Sequence, residues 1–184
     1  MTPDATLRRP IFIMGYMACG KTTFGRALAR RLGREFIDLD FRIEQRFRTS
    51  IREIFASRGE EEFRNIEAAM LREVGEMENV VIACGGGTPC FHSNMDFMLA
   101  NGATLWLEAS PERIVERLTR NRSRRPLMAD KSEEELLQAV VTGLEPRIPQ
   151  YSRAEIRFNG DELENRRQID ASIDRFLAEQ PQLG

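Results

Sequence analysis

The segment PIFIMGYMACGKTTFGRALARRLG, residues 10–33, decides the fold of this chain. Its first five residues are apolar throughout, which is typical of a strand buried on both faces of a sheet. The next eight, GYMACGKT at residues 15–22, match the pattern GxxxxGK followed by Ser or Thr. From Lys21 onward apolar residues recur at helical spacing, and Gly33 is placed to end the helix. This order of strand, loop and helix predicts a phosphate-binding loop for a nucleotide, rather than a glycine-rich turn that only starts a helix.

Each residue type in this loop has a physical role in binding phosphate. Glycines let the backbone wrap around the phosphates, and successive N–H groups together with the helix N-terminus supply positive potential. Lys21 is expected to neutralise β- and γ-phosphate oxygens, and the Thr22 hydroxyl is expected to ligate Mg²⁺. The loop indicates a nucleotide but does not identify the acceptor of a phosphoryl group.

Composition and charge exclude several classes of protein. The chain has 184 residues and 27 basic residues, of which 25 are arginines and two, Lys21 and Lys131, are lysines. The net charge of -2 gives no global positive field for duplex nucleic acid or an anionic membrane. The only histidine is His92, which argues against most zinc sites and against a histidine-dependent triad. The chemistry must therefore use carboxylates, arginine, lysine and backbone amides.

The length of the chain and its cysteines indicate its domain organisation and its redox environment. At 184 residues it is expected to form a single domain, residues 1–184, with a core and a cleft. Its three cysteines show no CxxC spacing, and no apolar run approaches the roughly 20 residues needed to span a bilayer. We expect a cytoplasmic protein with reduced thiols.

Short apolar runs alternate with helical stretches along the whole sequence, and this alternation predicts a parallel sheet covered by helices. Residues 50–53 and 132–135 fit capping boxes, so we expect a helix to start at each. A further helical stretch begins at about Glu60. The expected fold is a three-layer α/β/α arrangement around a five-stranded parallel sheet. The predicted strands are residues 10–14, 36–37, 80–84, 104–107 and 156–158.

Two features follow the second and third predicted strands. Asp38 and Asp40 are two residues apart, so on an extended segment their side chains would point the same way, one towards a metal and the other towards a substrate hydroxyl. The alternative is a solvated acidic turn. The glycines at residues 85–87 predict a close approach of a ligand or of another backbone, with a flexible turn as the alternative.

Two groups of arginines suggest further contacts. Arg64 and Glu67 lie three residues apart on a predicted helix, and spacing alone would favour an exposed ion pair. A second group crowds into residues 117–125. In a protein with a phosphate-binding loop this group predicts a mobile lid that brings arginine onto the transferring phosphoryl group, with a solvated face or a nucleic-acid patch as the alternatives. Its members are Arg117, Arg120, Arg122, Arg124 and Arg125.

Several motifs occur together in one order and spacing. They are the loop at 15–22, FIDLD at 36–40, IFA at 54–56, GE at 59–60, EFRNIE at 62–67, the glycines at 85–87, RPL at 125–127, and Arg147 with Tyr151. In this ordered set the chain resembles the shikimate kinase family over about residues 10–178.

The resemblance implies a P-loop fold like that of nucleoside-monophosphate kinases, with a substrate-binding helical segment near residues 41–75 and a lid near 119–131. It implies transfer of the ATP γ-phosphoryl group to the 3-hydroxyl of shikimate, with Mg²⁺ as cofactor. We expect a monomer that, because of its net charge, binds neither nucleic acid nor membrane. The implied ATP contacts are Gly15, Ala18, Cys19, Gly20, Lys21, Thr22, Thr23 and Arg125.

The resemblance also assigns the remaining site residues. Thr22 and Asp38 would hold the metal, and Lys21, Asp40 and Arg125 would be catalytic, with Asp40 as the candidate base. Shikimate would be bound by Asp40, Arg64, Gly85, Gly86, Gly87 and Arg147. The chain departs from the family at Ala18, where many members have Gly, and at Ala83, where a Ser is common. Leu118 falls near the place of the family's adenine-contacting arginine, and the loop near residues 159–163 is a second candidate for that contact.

Two other functions share parts of this pattern. A different small-metabolite P-loop kinase, such as a gluconate kinase, would use the same loop and topology. A nucleotide-binding regulator without catalysis could retain the fold, although the presence of Lys21, Asp40 and Arg125 together argues against it.

Overall fold

The computed structural model describes residues 8–120 and 132–183. Within these ranges the strands are β1 (Ile11–Met14), β2 (Glu35–Asp38), β3 (Val80–Ala83), β4 (Ala103–Glu108) and β5 (Ile156–Asn159). They form one sheet in the order β2-β3-β1-β4-β5, and every pairing is parallel. The predicted five-stranded parallel sheet is confirmed.

Helices cover both faces of the sheet. They are α1 (Lys21–Leu32), α2 (Leu39–Phe47), α3 (Ile51–Gly75), α4 (Asn94–Asn101), α5 (Pro111–Arg120), α6 (Glu133–Leu144), α7 (Ile148–Tyr151) and α8 (Arg166–Glu179), with 3₁₀ turns at Thr88–Cys90 and Pro181–Leu183. No helix in residues 8–120 or 132–183 is both long and apolar enough to cross a membrane.

Strand β1 shows how the two layers of the core arise. Its four residues have no exposed surface. Ile11 and Ile13 belong to a cluster that includes apolar residues of α1 and α8, while Phe12 and Met14 belong to a cluster that includes residues of α2 and α3. Alternate side chains of one strand therefore pack on opposite faces, which is why the sequence of β1 is apolar throughout. The phosphate-binding loop leaves the end of this central strand.

Helix starts agree with the predicted capping boxes. Ser50 Oγ accepts the Glu53 N–H at 3.2 Å, and Glu53 Oε2 accepts the Ser50 N–H at 2.9 Å. The same reciprocal pair occurs at Ser132 and Glu135. The helix expected from about Glu60 is continuous with the preceding one across a kink at Gly59, whose φ of 82° and ψ of 171° are not helical. A glycine adopts this conformation without the clash of a side chain.

One local prediction is wrong. The sequence predicted an extended segment through Asp38 and Asp40, but β2 ends at Asp38 and α2 begins at Leu39. Asp38 is the N-cap of this helix, since its Oδ1 accepts the Phe41 N–H at 3.3 Å, and Asp40 lies in the first helical turn. A carboxylate that caps a helix ends the strand at that residue, so the two side chains do not share a strand face.

Candidate active site

The phosphate-binding loop has a backbone that requires glycine at its first position. Gly15 has a φ of 150°, and a Cβ placed there would lie 2.3 Å from the carbonyl oxygen of Leu107 on the neighbouring strand β4. Both the conformation and the contact exclude a side chain. The loop is therefore held against β4 at the end of the sheet where β1 and β4 finish.

We predict that Gly15→Ala removes nucleotide binding and destabilises the fold, because the backbone of β4 cannot move without breaking the sheet. Gly33→Ala is a matched control, since Gly33 also has a positive φ, 66°, but nothing lies within 4 Å of a Cβ built there. The control should lose only about 1–2 kcal/mol of unfolding free energy. Chemical denaturation and ADP titration of both variants measure the difference. Equal effects would contradict the role of the Leu107 contact.

Lysine and threonine side chains of the loop are fixed by short-range contacts. Lys21 Nζ donates to the carbonyl oxygens of Gly15 at 2.8 Å and Tyr16 at 2.9 Å, so its ammonium lies over the loop. Thr22 Oγ1 donates to Asp38 Oδ2 at 2.9 Å, which joins the start of α1 to the end of β2. The hydroxyl and the carboxylate predicted to hold a metal are therefore in contact.

A cavity of about 480 Å³ opens beside this loop. It is lined by six loop and α1 residues from Met17 to Thr23, and by Asp38, Asp40 and the end of β3. The side next to Gly20 carries Arg117, Leu118, Leu163 and Glu164. The predicted ATP contacts Ala18, Gly20, Lys21, Thr22 and Thr23 all line it, while the side chain of Cys19 is buried beneath the loop.

Asp40 has an unusual electrostatic environment. The Asp40 side chain is open to the cleft on one side. Protein atoms surround the carboxylate on its other sides and remove much of its hydration. This desolvation raises the pKa of Asp40 from 3.8 to about 6, with smaller contributions from the negative charges of Glu67, Asp38 and Glu44, while Lys21 opposes the shift. A carboxylate with such a pKa can accept a proton near neutral pH and is typical of an acid-base site.

Arg64 and Glu67 form a buried pair, not the exposed one that spacing alone would favour. Glu67 is 1% exposed and the Arg64 side chain 11%. Arg64 Nη1 donates to Glu67 Oε2 at 2.8 Å, Nη2 donates to Glu60 at 3.2 Å, and the guanidinium lies 4.1 Å from the ring centroid of Phe91. The buried Nε of Arg64 has no hydrogen-bond partner within the described residues. An unsatisfied buried donor of this kind fits a site that receives an acceptor from a ligand.

Two of the three glycines after β3 lie against functional side chains. A Cβ on Gly85 would lie 2.9 Å from both Asp40 Oδ1 and Glu67 Oε1, and one on Gly87 would lie 2.8 Å from Arg64 Nη2. Gly86 has only ordinary contacts and lines the cavity. The triplet therefore allows the acid and the arginine to approach the same turn, which favours the close-approach interpretation over a flexible turn.

Arg147 lies at the start of α7, and the Tyr151 hydroxyl of this helix donates to the Gly86 carbonyl. The Arg147 guanidinium is 5.5 Å from the ring centroid of Tyr16 and donates to the carbonyl of Gly143. Burial raises the pKa of the Cys90 thiol, while the cations Arg147 and Arg64 lower it. Gly86 lines the cavity, whereas Arg64, Gly85, Gly87 and Arg147 do not.

Arg117 has a role that the sequence did not indicate. Its Nη1 donates to the carbonyls of Cys19 at 2.8 Å and Ala18 at 3.3 Å, and its Nη2 donates to the carbonyl of Gly160 at 2.8 Å. Nε donates to Glu164 at 2.7 Å. This side chain belongs to α5 and joins the phosphate-binding loop to the loop after β5, so it constrains the backbone that would bind phosphate.

We predict that Arg117→Lys weakens nucleotide binding about tenfold, because an ammonium cannot serve the four carbonyls of Ala18, Cys19, Gly160 and Asp161 together with the Glu164 carboxylate. Arg113→Lys, on the same helix, is the control, since the Arg113 side chain pairs with the partly exposed Glu116 and does not line the cavity. Titration with ADP measures the effect. Equal ADP affinity of the two variants would contradict it.

The predicted lid lies largely outside the described residues. Arg122, Arg124 and Arg125 fall there, and so does the RPL motif at 125–127. The start of the predicted lid, Thr119 and Arg120, lies at the end of α5.

Three features define a P-loop kinase. They are the phosphate-binding loop with Lys21, the three-layer parallel fold, and the Asp40 carboxylate that lines the same cavity. The family model for shikimate kinase matches residues 17–178, and the chain belongs to the shikimate kinase family.

Individual relatives agree with this assignment. The shikimate kinase of Bacteroides thetaiotaomicron is 48% identical over 166 residues, which is 90% of this chain and 95% of the relative. A crystal structure of shikimate kinase from that organism has a TM-score of 0.91 at 45% identity and covers 95% of this chain and 99% of its own. Shikimate kinase from Acinetobacter baumannii in complex with shikimate has a TM-score of 0.78 at 30% identity, with 94% and 93% covered.

A gluconokinase from Sinorhizobium meliloti has a TM-score of 0.57 at 21% identity, with 94% of this chain and 95% of that one covered. At this identity the likeness concerns the fold alone. The alternative of a gluconate kinase therefore rests on topology, whereas the assignment to shikimate kinase rests on sequence as well.

Proposed function

We propose that this chain, a member of a family of ATP-using kinases, transfers the γ-phosphoryl group of ATP to the 3-hydroxyl of shikimate, giving shikimate 3-phosphate and ADP. The observation that carries the proposal is the turn at residues 85–87, which brings Asp40 and Arg64 to one side of the phosphate-binding loop. A proton acceptor and a carboxylate receptor thus lie next to a nucleotide site.

The two arginines supply recognition of the acid. Shikimate carries one carboxylate and three hydroxyls, so its site needs planar donors for the acid and acceptors for the alcohols. Arg64 has a buried Nε without a partner among the described residues, and Arg147 begins the helix whose Tyr151 hydroxyl donates to the Gly86 carbonyl of the same turn. We assign the substrate carboxylate to these two guanidinium groups and to the backbone of residues 85–87.

Asp40 acts on the attacking hydroxyl. Its raised pKa lets it accept the hydroxyl proton as the bond to phosphorus forms, and before that step it orients the hydroxyl as a hydrogen-bond acceptor. Phosphoryl transfer depends chiefly on positioning and charge neutralisation, so orientation by Asp40 contributes in addition to proton transfer.

The nucleotide is held by the loop and the adjoining side of the cavity. Backbone N–H groups of residues 15–22 bind the phosphates, and Lys21 neutralises the charge on the β- and γ-oxygens. Leu118 and Leu163 line the cavity beside Gly20, on the side where Arg117 lies. Apolar side chains next to a planar guanidinium suit a purine, so we assign the adenine to this side.

Thr22 and Asp38 fit a magnesium ion. The Thr22 hydroxyl and an Asp38 carboxylate oxygen lie 2.9 Å apart at the mouth of the cavity, and oxygen donors are what Mg²⁺ prefers. When bound, Mg²⁺ supplies positive charge to the phosphate oxygens. In this chain Thr22 would hold the ion directly and Asp38 through water, while Ala83 at the end of β3 supplies no hydroxyl.

We further propose that Arg125 reaches the phosphates from the lid. The protein is proposed to act as a single domain and a cytoplasmic monomer. Its net charge of -2 supports the proposal that it binds neither nucleic acid nor membrane.

An ADP-release assay with shikimate or gluconate as acceptor tests the function. We expect ADP release that depends on shikimate and exceeds the rate with gluconate by orders of magnitude. Turnover with gluconate alone would identify a different small-metabolite kinase. ADP binding without turnover on either acceptor would identify a nucleotide-binding regulator.

A further inference from the structure

Arg64 is connected by hydrogen bonds to a series of buried polar side chains. Thr88 and Asn94 have no exposed surface, and Glu67 is 1% exposed. Glu67 Oε2 accepts from Arg64 Nη1 at 2.8 Å, and the other carboxylate oxygen, Oε1, accepts from Thr88 Oγ1 at 2.6 Å. Each oxygen of this buried carboxylate thus has its own donor, one a cation next to the cleft and the other a hydroxyl on the 3₁₀ turn.

The hydrogen bonds continue from Thr88 in the direction away from the cleft. Asn94 Nδ2 donates to the Thr88 carbonyl at 2.9 Å, and Asn94 Oδ1 accepts from Arg72 Nη1 at 2.9 Å. Arg72 also donates to the carbonyls of Ala68 at 2.8 Å and His92 at 3.0 Å. The segment that carries Thr88 is therefore anchored to α3 and to the start of α4 by groups that do not touch the cavity.

Thr88 also belongs to the turn that borders the substrate site. Its N–H donates to the Gly85 carbonyl at 3.1 Å, and a Cβ on Gly85 would lie 3.0 Å from Thr88 Oγ1 and 2.9 Å from Asp40 Oδ1. One residue thus fixes both the shape of the turn and one oxygen of Glu67.

The orientation of Arg64 depends on this arrangement. An arginine side chain has many rotamers, and its planar fork is useful only when it is held in one of them. Glu67 holds Nη1, and a carboxylate as buried as Glu67 keeps a single orientation only while both oxygens are hydrogen-bonded. Loss of the Thr88 hydroxyl would release Oε1 and let Glu67 and Arg64 rotate together.

We propose that Thr88 is a positioning residue for shikimate: its hydroxyl orients Glu67, and Glu67 orients the Arg64 guanidinium towards the substrate carboxylate. This inference rests on the proposed function of Arg64. It extends the carboxylate site by one residue that touches neither substrate nor nucleotide.

The test compares Thr88→Ala with Thr88→Ser, because alanine removes the hydroxyl and serine keeps it. Thr104→Ala and Thr104→Ser are matched controls. Thr104 is also fully buried and also hydrogen-bonds a glutamate, Glu155, but it lies near the start of β4, away from the phosphate-binding loop. Arg64→Lys is measured in parallel, with KM for shikimate, KM for ATP, kcat and thermal midpoint recorded for each variant.

We expect Thr88→Ala to raise the KM for shikimate about five- to tenfold, with the KM for ATP unchanged and the serine variant close to the parent. Both Thr104 variants should leave both KM values unchanged, even where Thr104→Ala lowers the thermal midpoint as much as Thr88→Ala does. A purely structural role for Thr88 would give no serine rescue or would move both KM values together, and either result overturns the proposal.

Arg64→Lys separates the role of Thr88 from that of the carboxylate site. A raised KM for shikimate in Arg64→Lys with an unchanged one in Thr88→Ala overturns the role of Thr88 alone. An unchanged KM in both overturns the proposed carboxylate site as well. If the alanine variant does not fold, Thr88→Cys fills most of the volume with a weak donor. It should show the same rise in KM, and an unchanged KM in this variant also overturns the proposal.

Discussion

Asp40→Asn is expected to lower kcat about 10²- to 10⁴-fold while ADP and ATP still bind. Asp40 lines the same cavity as Lys21 and Thr22, and asparagine keeps its shape but cannot accept the hydroxyl proton. Steady-state turnover with shikimate and titration with ADP measure the two effects. Asp96→Asn is the control, because Asp96 is exposed and pairs with Arg153 at the surface. Turnover of Asp40→Asn within a few-fold of the control would contradict the proposed role.

The Asp40 carboxylate determines how kcat/KM is expected to depend on pH. Its pKa of about 6 means that kcat/KM for shikimate should fall as pH drops through about 6, because the protonated acid can no longer accept a proton. This acid limb should be absent from the residual activity of Asp40→Asn. An identical limb in the variant would assign the titration to another group.

The contribution of Asp40 to the free energy of unfolding should change with pH in the opposite direction to turnover. A raised carboxyl pKa means that the folded state binds the proton more tightly than the unfolded chain, so the contribution of Asp40 to stability falls as pH rises between 3.8 and about 6. Removing the charge with Asp40→Asn should therefore raise the thermal midpoint more at pH 8 than at pH 5. A gain in stability with a loss of turnover is the pattern of a residue placed for function.

The second large effect is expected from Arg64→Lys, which should raise the KM for shikimate about 10- to 100-fold. Lysine keeps the positive charge but loses the planar fork, the buried Nε donor and the packing on Phe91. The KM for ATP should stay unchanged, because Arg64 lies at the turn 85–87 and does not line the nucleotide cavity.

Arg46→Lys is the matched control for this substitution. Arg46 lies on α2, is 59% exposed in its side chain and pairs with Glu73 at 2.8 Å. An exposed pair of this kind contributes little to stability, so the control should resemble the parent in both KM values. A similar rise in KM for both variants, or for neither, would refute the carboxylate contact.

Much of the fold was predictable because its signals are local. The strand, loop and helix of residues 10–33 and the two capping boxes depend on residues that are neighbours in the sequence. The sheet followed from apolar runs that need burial on both faces.

The family resemblance implies a helical segment from about residue 41, but the residues themselves were not assigned to α2, although Leu39, Ile43 and Phe47 recur at helical spacing. The two aspartates at positions 38 and 40 favour an extended segment, which conflicts with that spacing. An aspartate at the end of a strand is also a good helix N-cap, and this signal could have located the start of α2. Asp38 and Asp40 still line the same cavity, but the reason is a helix turn rather than a strand face.

Other site residues could not be found from sequence because their partners are distant in the chain. Arg117 meets a carbonyl 98 residues away, and Thr88 meets a carboxylate 21 residues away. Nothing in the spacing of Arg64 and Glu67 distinguishes a buried pair from an exposed one. Burial and the identity of hydrogen-bond partners depend on how the layers pack, which only the folded structure supplies.

Phosphorus NMR of the reaction products tests the central claim most directly. With ATP, Mg²⁺ and shikimate, we predict one new phosphomonoester signal that couples to the proton on carbon 3 of shikimate, in amounts equal to the ADP formed. Inorganic phosphate as the only new species, or an ester at a different hydroxyl, would contradict the assignment of this chain as a kinase of the shikimate 3-hydroxyl.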